Sequence, residues 1–276
     1  MVRSASFYYE ARSTQIFLRQ LTFIVVGLLS MTGIGFLFDY RWSRKIAVFA
    51  GIGTLLMLFA VAILSVITGG TVRALFGDSV QPSELAKLVL IIYLAVWLEA
   101  KQDVIRDFNW GFLSISVLLG VVGIMILLQP DISAAITVVF LGLLMYFLGG
   151  AQPLHILLAF AMVAFMVWVM ISFNPLNIDR ITQFTIALDN IQEASYHVQR
   201  SLEAFSSATL FGKGLGESEI KFTGLPVPHT DSIFAVIVEE TGLVGGISLM
   251  LGYLVILWRG MLISHRAPDF LGKLIA

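Results

Sequence analysis

Seven stretches of the chain are apolar and long enough to cross a lipid bilayer as helices, and this repetition limits the fold more than any other feature. They cover residues 21–38, 46–68, 84–98, 110–128, 132–148, 154–173 and 233–258. A crossing takes roughly 20 mostly apolar residues. The stretch 84–98 is the shortest and opens on charge. Hydrophobic residues make up 58% of the 276 residues and charged residues only 13%. A soluble domain runs near half apolar and about a quarter charged. This excess of apolar side chains cannot be hidden in one water-soluble core, so lipid is the solvent. The expected fold is all-α, a polytopic transmembrane helical bundle of about seven helices, forming a single integral membrane domain over residues 1–276. Gln129-Pro130-Asp131 and Gly149-Gly150-Ala151-Gln152-Pro153 read as breaks between spans.

The formal net charge of -1 carries no polyanion-binding signature, so nucleic acid is not an expected partner. There is no cysteine, which excludes disulfides, thiolate metal sites and a cysteine nucleophile. The first residues are polar and aromatic and do not read as a signal peptide.

Lys and Arg in short loops set orientation. Arg41, Arg44 and Lys45 follow the first span, Lys101 and Arg106 the third, and Arg259, Arg266 and Lys273 the seventh. Alternating spans put all of these on one side, the cytoplasm. The long loop 174–232 and the N-terminus are then expected outside.

A charge inside a span is a functional hypothesis by default. Glu84 and Lys87 are spaced i, i+3, on one helical face, where they can neutralise each other. Pro82 suits a first helical turn. Asp131 precedes a span and is expected to cap it. Glu239 and Glu240 lie inside the seventh span, and at least one should face protein or water. Gly212-Lys213-Gly214-Leu215-Gly216 can bring N–H groups and an ammonium to a phosphate, although it is no P-loop and also reads as a plain turn. His229-Thr230-Asp231 precedes the seventh span, but two residues are too few for a metal site. Residue chemistry alone fits a transporter as well as a membrane-embedded enzyme.

Four motifs, in order along the chain, resemble the family of cell-wall proteins that includes FtsW and RodA. They are Gln81-Pro82-Ser83-Glu84-Leu85-Ala86-Lys87, Leu128-Gln129-Pro130-Asp131, Phe211-Gly212-Lys213-Gly214-Leu215-Gly216-Glu217-Ser218, and Pro228-His229-Thr230-Asp231-Ser232 with Glu239-Glu240-Thr241-Gly242. The resemblance implies an inverting glycosyltransferase of the bacterial inner membrane, serving division or cell shape. It would polymerise lipid II into peptidoglycan glycan strands outside the membrane, beside a class B penicillin-binding protein and other divisome or elongasome membrane proteins. It implies Asp189 as catalytic base, although here Leu188-Asp189-Asn190 lacks the family's proline. Gln81, Glu84, Lys87, Lys213, His229, Asp231 and Glu239 become candidate substrate-binding residues. No metal ligands are assigned; a divalent cation, magnesium or manganese, is the one cofactor that diphosphate chemistry leaves open. The alternatives are a lipid II flippase and an inactive scaffold. The family has ten spans. By the resemblance, this chain starts after the first and stops after the eighth, and by itself is expected to be a poor polymerase.

Overall fold

The computed structural model describes residues 13–68, 81–129, 131–173, 196–220 and 232–276. Among the described residues there are nine α-helices and no strand. They are α1 Ser13–Leu37, α2 Ser43–Thr68, α3 Pro82–Ala100, α4 Ser114–Leu127, α5 Ile132–Leu148, α6 Pro153–Phe173, α7 Tyr196–Ser207, α8 Ile233–Arg266 and α9 Phe270–Ile275. Each expected span is a helix, and the fifth matches end to end. The fourth opens as a wide π-helical turn, Phe108–Leu113. The helical segments Phe17–Leu37, Tyr40–Thr68, Phe108–Leu127 and Ile233–Arg266 are each long and apolar enough to cross a membrane. The protein is a polytopic helical membrane protein. Its exposed apolar surface fits that solvent: Leu29 on α1 is 67% exposed and Phe36 is 90% exposed.

The chain divides into two compact units. The first comprises Met1–Leu37 and Val167–Arg259; the second comprises Phe38–Met166 and Gly260–Ala276. In the second unit α2 packs on α3, α3 on α5, and α4 on α5. The core between them includes Leu58, Leu94, Leu98, Ile115, Ile126 and Val138. Where α4 meets α5, a methyl group on Gly142 would run into the Leu119 side chain. Helices in lipid gain little from hydrophobic contrast and associate through such close packing of small residues.

The helix ends are fixed by the residues expected to fix them. Gln81 has extended backbone, and Pro82 opens α3. Asp131 caps α5: its Oδ1 accepts from the Ala134 N–H at 3.1 Å and the Ser133 hydroxyl at 3.0 Å. At the opposite end of this unit Arg44 forms a two-pronged pair with Glu99, at 2.8 and 2.7 Å, and reaches Asp269 at 3.4 Å. Asp269 accepts the Gly272 N–H at 2.9 Å, capping α9, and the Tyr40 hydroxyl at 3.1 Å. The Gly272 N–H first, and then Tyr40, Arg44 and Arg41, hold the Asp269 carboxyl below its ordinary range. Leu271 and Leu274 of α9 are buried against this end.

A polar link joins three segments near the same end. The Tyr146 hydroxyl donates to the Ile105 carbonyl at 3.0 Å and lies 3.1 Å from His155 Nδ1. A phenol has one hydrogen, so with Ile105 accepting it, His155 donates from Nδ1 to the Tyr146 oxygen. Tyr146 and His155 are both buried, and the Phe108 and Phe112 rings stand 6.0 and 5.3 Å from the His155 ring. Tyr146→Phe keeps the ring but strands a buried carbonyl and a buried imidazole N–H. It is expected to destabilise the protein by about 1–3 kcal/mol. Thermal unfolding of the two proteins in the same detergent checks this.

Candidate functional site

The polar chemistry of the first unit is built around a break in α8. Gly242 has φ 75° and ψ −174°, a backbone conformation open to glycine and strained for other residues. In an unbroken helix the N–H groups of Leu243 and Val244 would bond the carbonyls of Glu239 and Glu240. The break separates these four groups, and buried backbone groups need partners. The loop after α7 supplies all four. Lys213 N–H donates to the Glu239 carbonyl at 3.0 Å and Gly214 N–H to the Glu240 carbonyl at 3.1 Å. Leu243 N–H donates to the Thr209 carbonyl and Val244 N–H to the Leu210 carbonyl, both at 3.2 Å.

Such a stitch requires two backbones to touch. A Cβ on Gly212, itself at φ 76°, would meet the backbone of Glu240 and Gly242; a Cβ on Gly242 would meet that of Leu210 and Gly212. The glycine run is therefore no plain turn. Its first residues, Gly212 to Gly214, belong to the 209–214 segment that fits into the broken helix.

The stitch sets side chains as well as backbone. Glu239 and Glu240 are both buried in protein, at 0% and 1% exposure. The Glu239 carboxylate accepts from the Ser218 hydroxyl, from Lys213 Nζ at 2.9 Å and from the Glu219 N–H at 3.2 Å. Three donors, one of them cationic, make burial of this carboxylate tolerable. Lys213 Nζ reaches on to Glu219 Oε2 at 3.0 Å. The two carboxylates, Glu239 first, raise the pKa of Lys213 above its ordinary 10.5. A raised lysine contributes its pairing energy in full below the unfolded pKa and loses it only as pH climbs through the folded one. Lys213 is thus a fixed cation at every physiological pH.

The second unit holds another group of predicted residues. Gln81 donates from Nε2 to Asp131 Oδ2 at 3.0 Å, so the start of α3 is tied to the cap of α5. Glu84 and Lys87 pair at 2.6 Å, one turn into α3. Gln129 is fully buried, and its amide donates to the Leu58 carbonyl at 3.1 Å and the Met125 carbonyl at 3.3 Å, linking α2 and α4. Asp189, His229 and Asp231 lie outside the described residues. Among the described residues no three His, Asp or Glu side chains gather as a metal-binding set.

Sequence reasoning singled out Lys213 and Glu239 but missed what joins them. Ser218 stood only as the last residue of the glycine motif, and Glu219 lies just beyond it. Gly242, a glycine one turn after two acidic residues at the start of a span, was the available signal for a break. Gly242→Ala is expected to destabilise the first unit by about 2–5 kcal/mol, combining a positive φ with a backbone collision. Faster hydrogen exchange or proteolysis of residues 208–220, with residues 84–100 unchanged, is the expected readout.

Comparison with known proteins agrees with this arrangement of motifs. The model of the FtsW, RodA and SpoVE family, described as "Cell cycle protein", matches residues 1–276. The chain is 33% identical over 265 residues to a protein of Geobacter sulfurreducens named "Probable peptidoglycan glycosyltransferase FtsW", a match covering 91% of this chain and 69% of that one. It is 34% identical over 266 residues to "Stage V sporulation protein E" of Bacillus subtilis, covering 94% of this chain and 71% of that one. A similarly named FtsW of Trichlorobacter lovleyi is 33% identical over 288 residues, covering all of this chain and 74% of the relative. With the family model matched from end to end and relatives at this identity covered over more than two-thirds of their length, the chain belongs to the FtsW/RodA/SpoVE family of cell-cycle membrane proteins.

Proposed function

We propose that this protein polymerises lipid II into peptidoglycan glycan strands at the outer face of the bacterial inner membrane, in company with a class B penicillin-binding protein. The observation that carries the reading is Lys213, a cation anchored on the fully buried carboxylate of Glu239. The reaction needs such a group. The hydroxyl of an acceptor sugar attacks the anomeric carbon of a lipid-linked donor, and the bond from that carbon to the diphosphate oxygen breaks with inversion. Undecaprenyl diphosphate leaves with the bonding electron pair. A cation held ready at the diphosphate stabilises that developing charge without reorganising at the moment of reaction. Lys213 takes this role, Glu239 positions it, and Asp189 takes the proton of the attacking hydroxyl. Gln81, Glu84, Lys87, His229 and Asp231 are further substrate-binding groups. The loop that carries Lys213 lies outside the membrane in this reading, as the loop charges imply. The names of the FtsW relatives support the chemistry.

One observation favours a second reading, a lipid II flippase. Transporters often use interrupted membrane helices, and α8 is interrupted at Gly242. Here the interruption is filled by the 209–214 backbone, which suits a rigid seat for Lys213.

The protein carried in the ten-span context that the family resemblance implies, purified and supplied with lipid II and a class B penicillin-binding protein in detergent, is expected to make glycan, resolved by gel after labelling. Lys213→Ala and Asp189→Asn should each lower the rate by about 10²-fold or more. Movement of lipid II across vesicles without glycan synthesis would favour the flippase. Synthesis indifferent to both substitutions would sink the proposed roles.

A further inference from the structure

The two carboxylates that hold Lys213 are unequal. Glu239 is 0% exposed, and its oxygens are also bonded by Ser218 and by the Glu219 N–H. The Glu219 side chain is 77% exposed, and the Lys213 side chain between the two is 27% exposed. An ion pair with one partner in solvent contributes little, because water and salt screen it and a flexible side chain must be held still. A pair on a buried, multiply bonded carboxylate is much harder to break, because the charge left behind would stay buried. An anion approaching from solvent therefore meets a lysine with one partner it cannot displace and one partner it can. A diphosphate presents several oxygens and more charge than one carboxylate, so it wins the exchange.

We infer that the Glu219 carboxylate is an internal competitor: it occupies the anion seat on Lys213 until a diphosphate displaces it, while Glu239 keeps the ammonium in place. This rests on the diphosphate-binding role given to Lys213 above, and it adds a residue that sets how tightly and how selectively that seat is filled. The backbone of Glu219 stays in place during the exchange, since its N–H is bonded to Glu239 Oε1 at 3.2 Å. Only the side chain swings away. A weak anion such as a single carboxylate gains too little from the exchange to unseat it, so Glu219 also acts as a filter.

The test is inorganic pyrophosphate binding to the purified full chain in detergent at low salt, followed by calorimetry. Glu219→Gln should tighten binding about 2- to 5-fold, the factor matching an exposed ion pair. Glu217→Gln removes the same charge from the same loop, at a carboxylate with no ion pair among the described residues, and should change binding by less than that. Glu239→Gln should weaken binding, because it releases the anchor. In the Lys213→Ala background the gain from Glu219→Gln should vanish. Unchanged or weaker binding by Glu219→Gln overturns the inference. So does an equal gain from Glu217→Gln, a gain that survives without Lys213, or no pyrophosphate binding by either the parent or the Glu219→Gln protein. The polymerase reading fails separately: the predicted binding pattern in a protein that makes no glycan leaves Glu219 a competitor at an anion seat and removes only the glycan chemistry.

Discussion

A peptide group away from water must find a hydrogen-bond partner within the protein, and in α8 this rule has organised everything around residue 242. Breaking the helix there frees two carbonyls and two N–H groups. The 209–214 segment answers all four with main-chain groups of its own. Side-chain capping would have left the loop free to wander; main-chain pairing fixes its register. Lys213 consequently stands beside Glu239 because its own N–H is already bonded to the Glu239 carbonyl. The ion pair follows from the backbone stitch.

The charge arrangement makes physical sense only in that order. A buried carboxylate with no partner would be costly enough to protonate or unfold its surroundings. Glu239 is buried because three donors from one loop converge on it. What results is a cation whose position is set from the protein side and which also pairs with the exposed carboxylate of Glu219. A cation pre-organised in this way is what the proposed diphosphate role calls for, in a family whose relatives carry the name of a glycosyltransferase.

In the second unit the polar groups at the start of α3 follow different rules. Gln81, Asp131 and Ser133 mainly satisfy one another and the first turn of α5. Glu84 and Lys87 neutralise each other within one helix turn. Apart from the Gln81–Asp131 bond, which joins residues 50 positions apart, these are local arrangements, each readable from a spacing of three residues or from a carboxylate placed just before an apolar run.

That locality marks what the amino-acid sequence determined by itself. The helices at the seven apolar stretches, the Asp131 cap, Pro82 in the first turn of α3 and the Glu84–Lys87 pair all follow from residues close together in the chain. Hydropathy over about 20 residues and the helical repeat are enough to specify them. Tertiary structure alone decided that α8 breaks at Gly242, that the 209–214 segment fits into the break, and that Ser218 and Lys213 converge on Glu239. These contacts join residues 21 to 26 positions apart. Nothing in the local pattern distinguishes a glycine run that docks from one that merely turns. The distinction arises because Gly212 and Gly242 lack the side chains that would keep two backbones apart, and because the groups freed in one segment are answered by groups in the other.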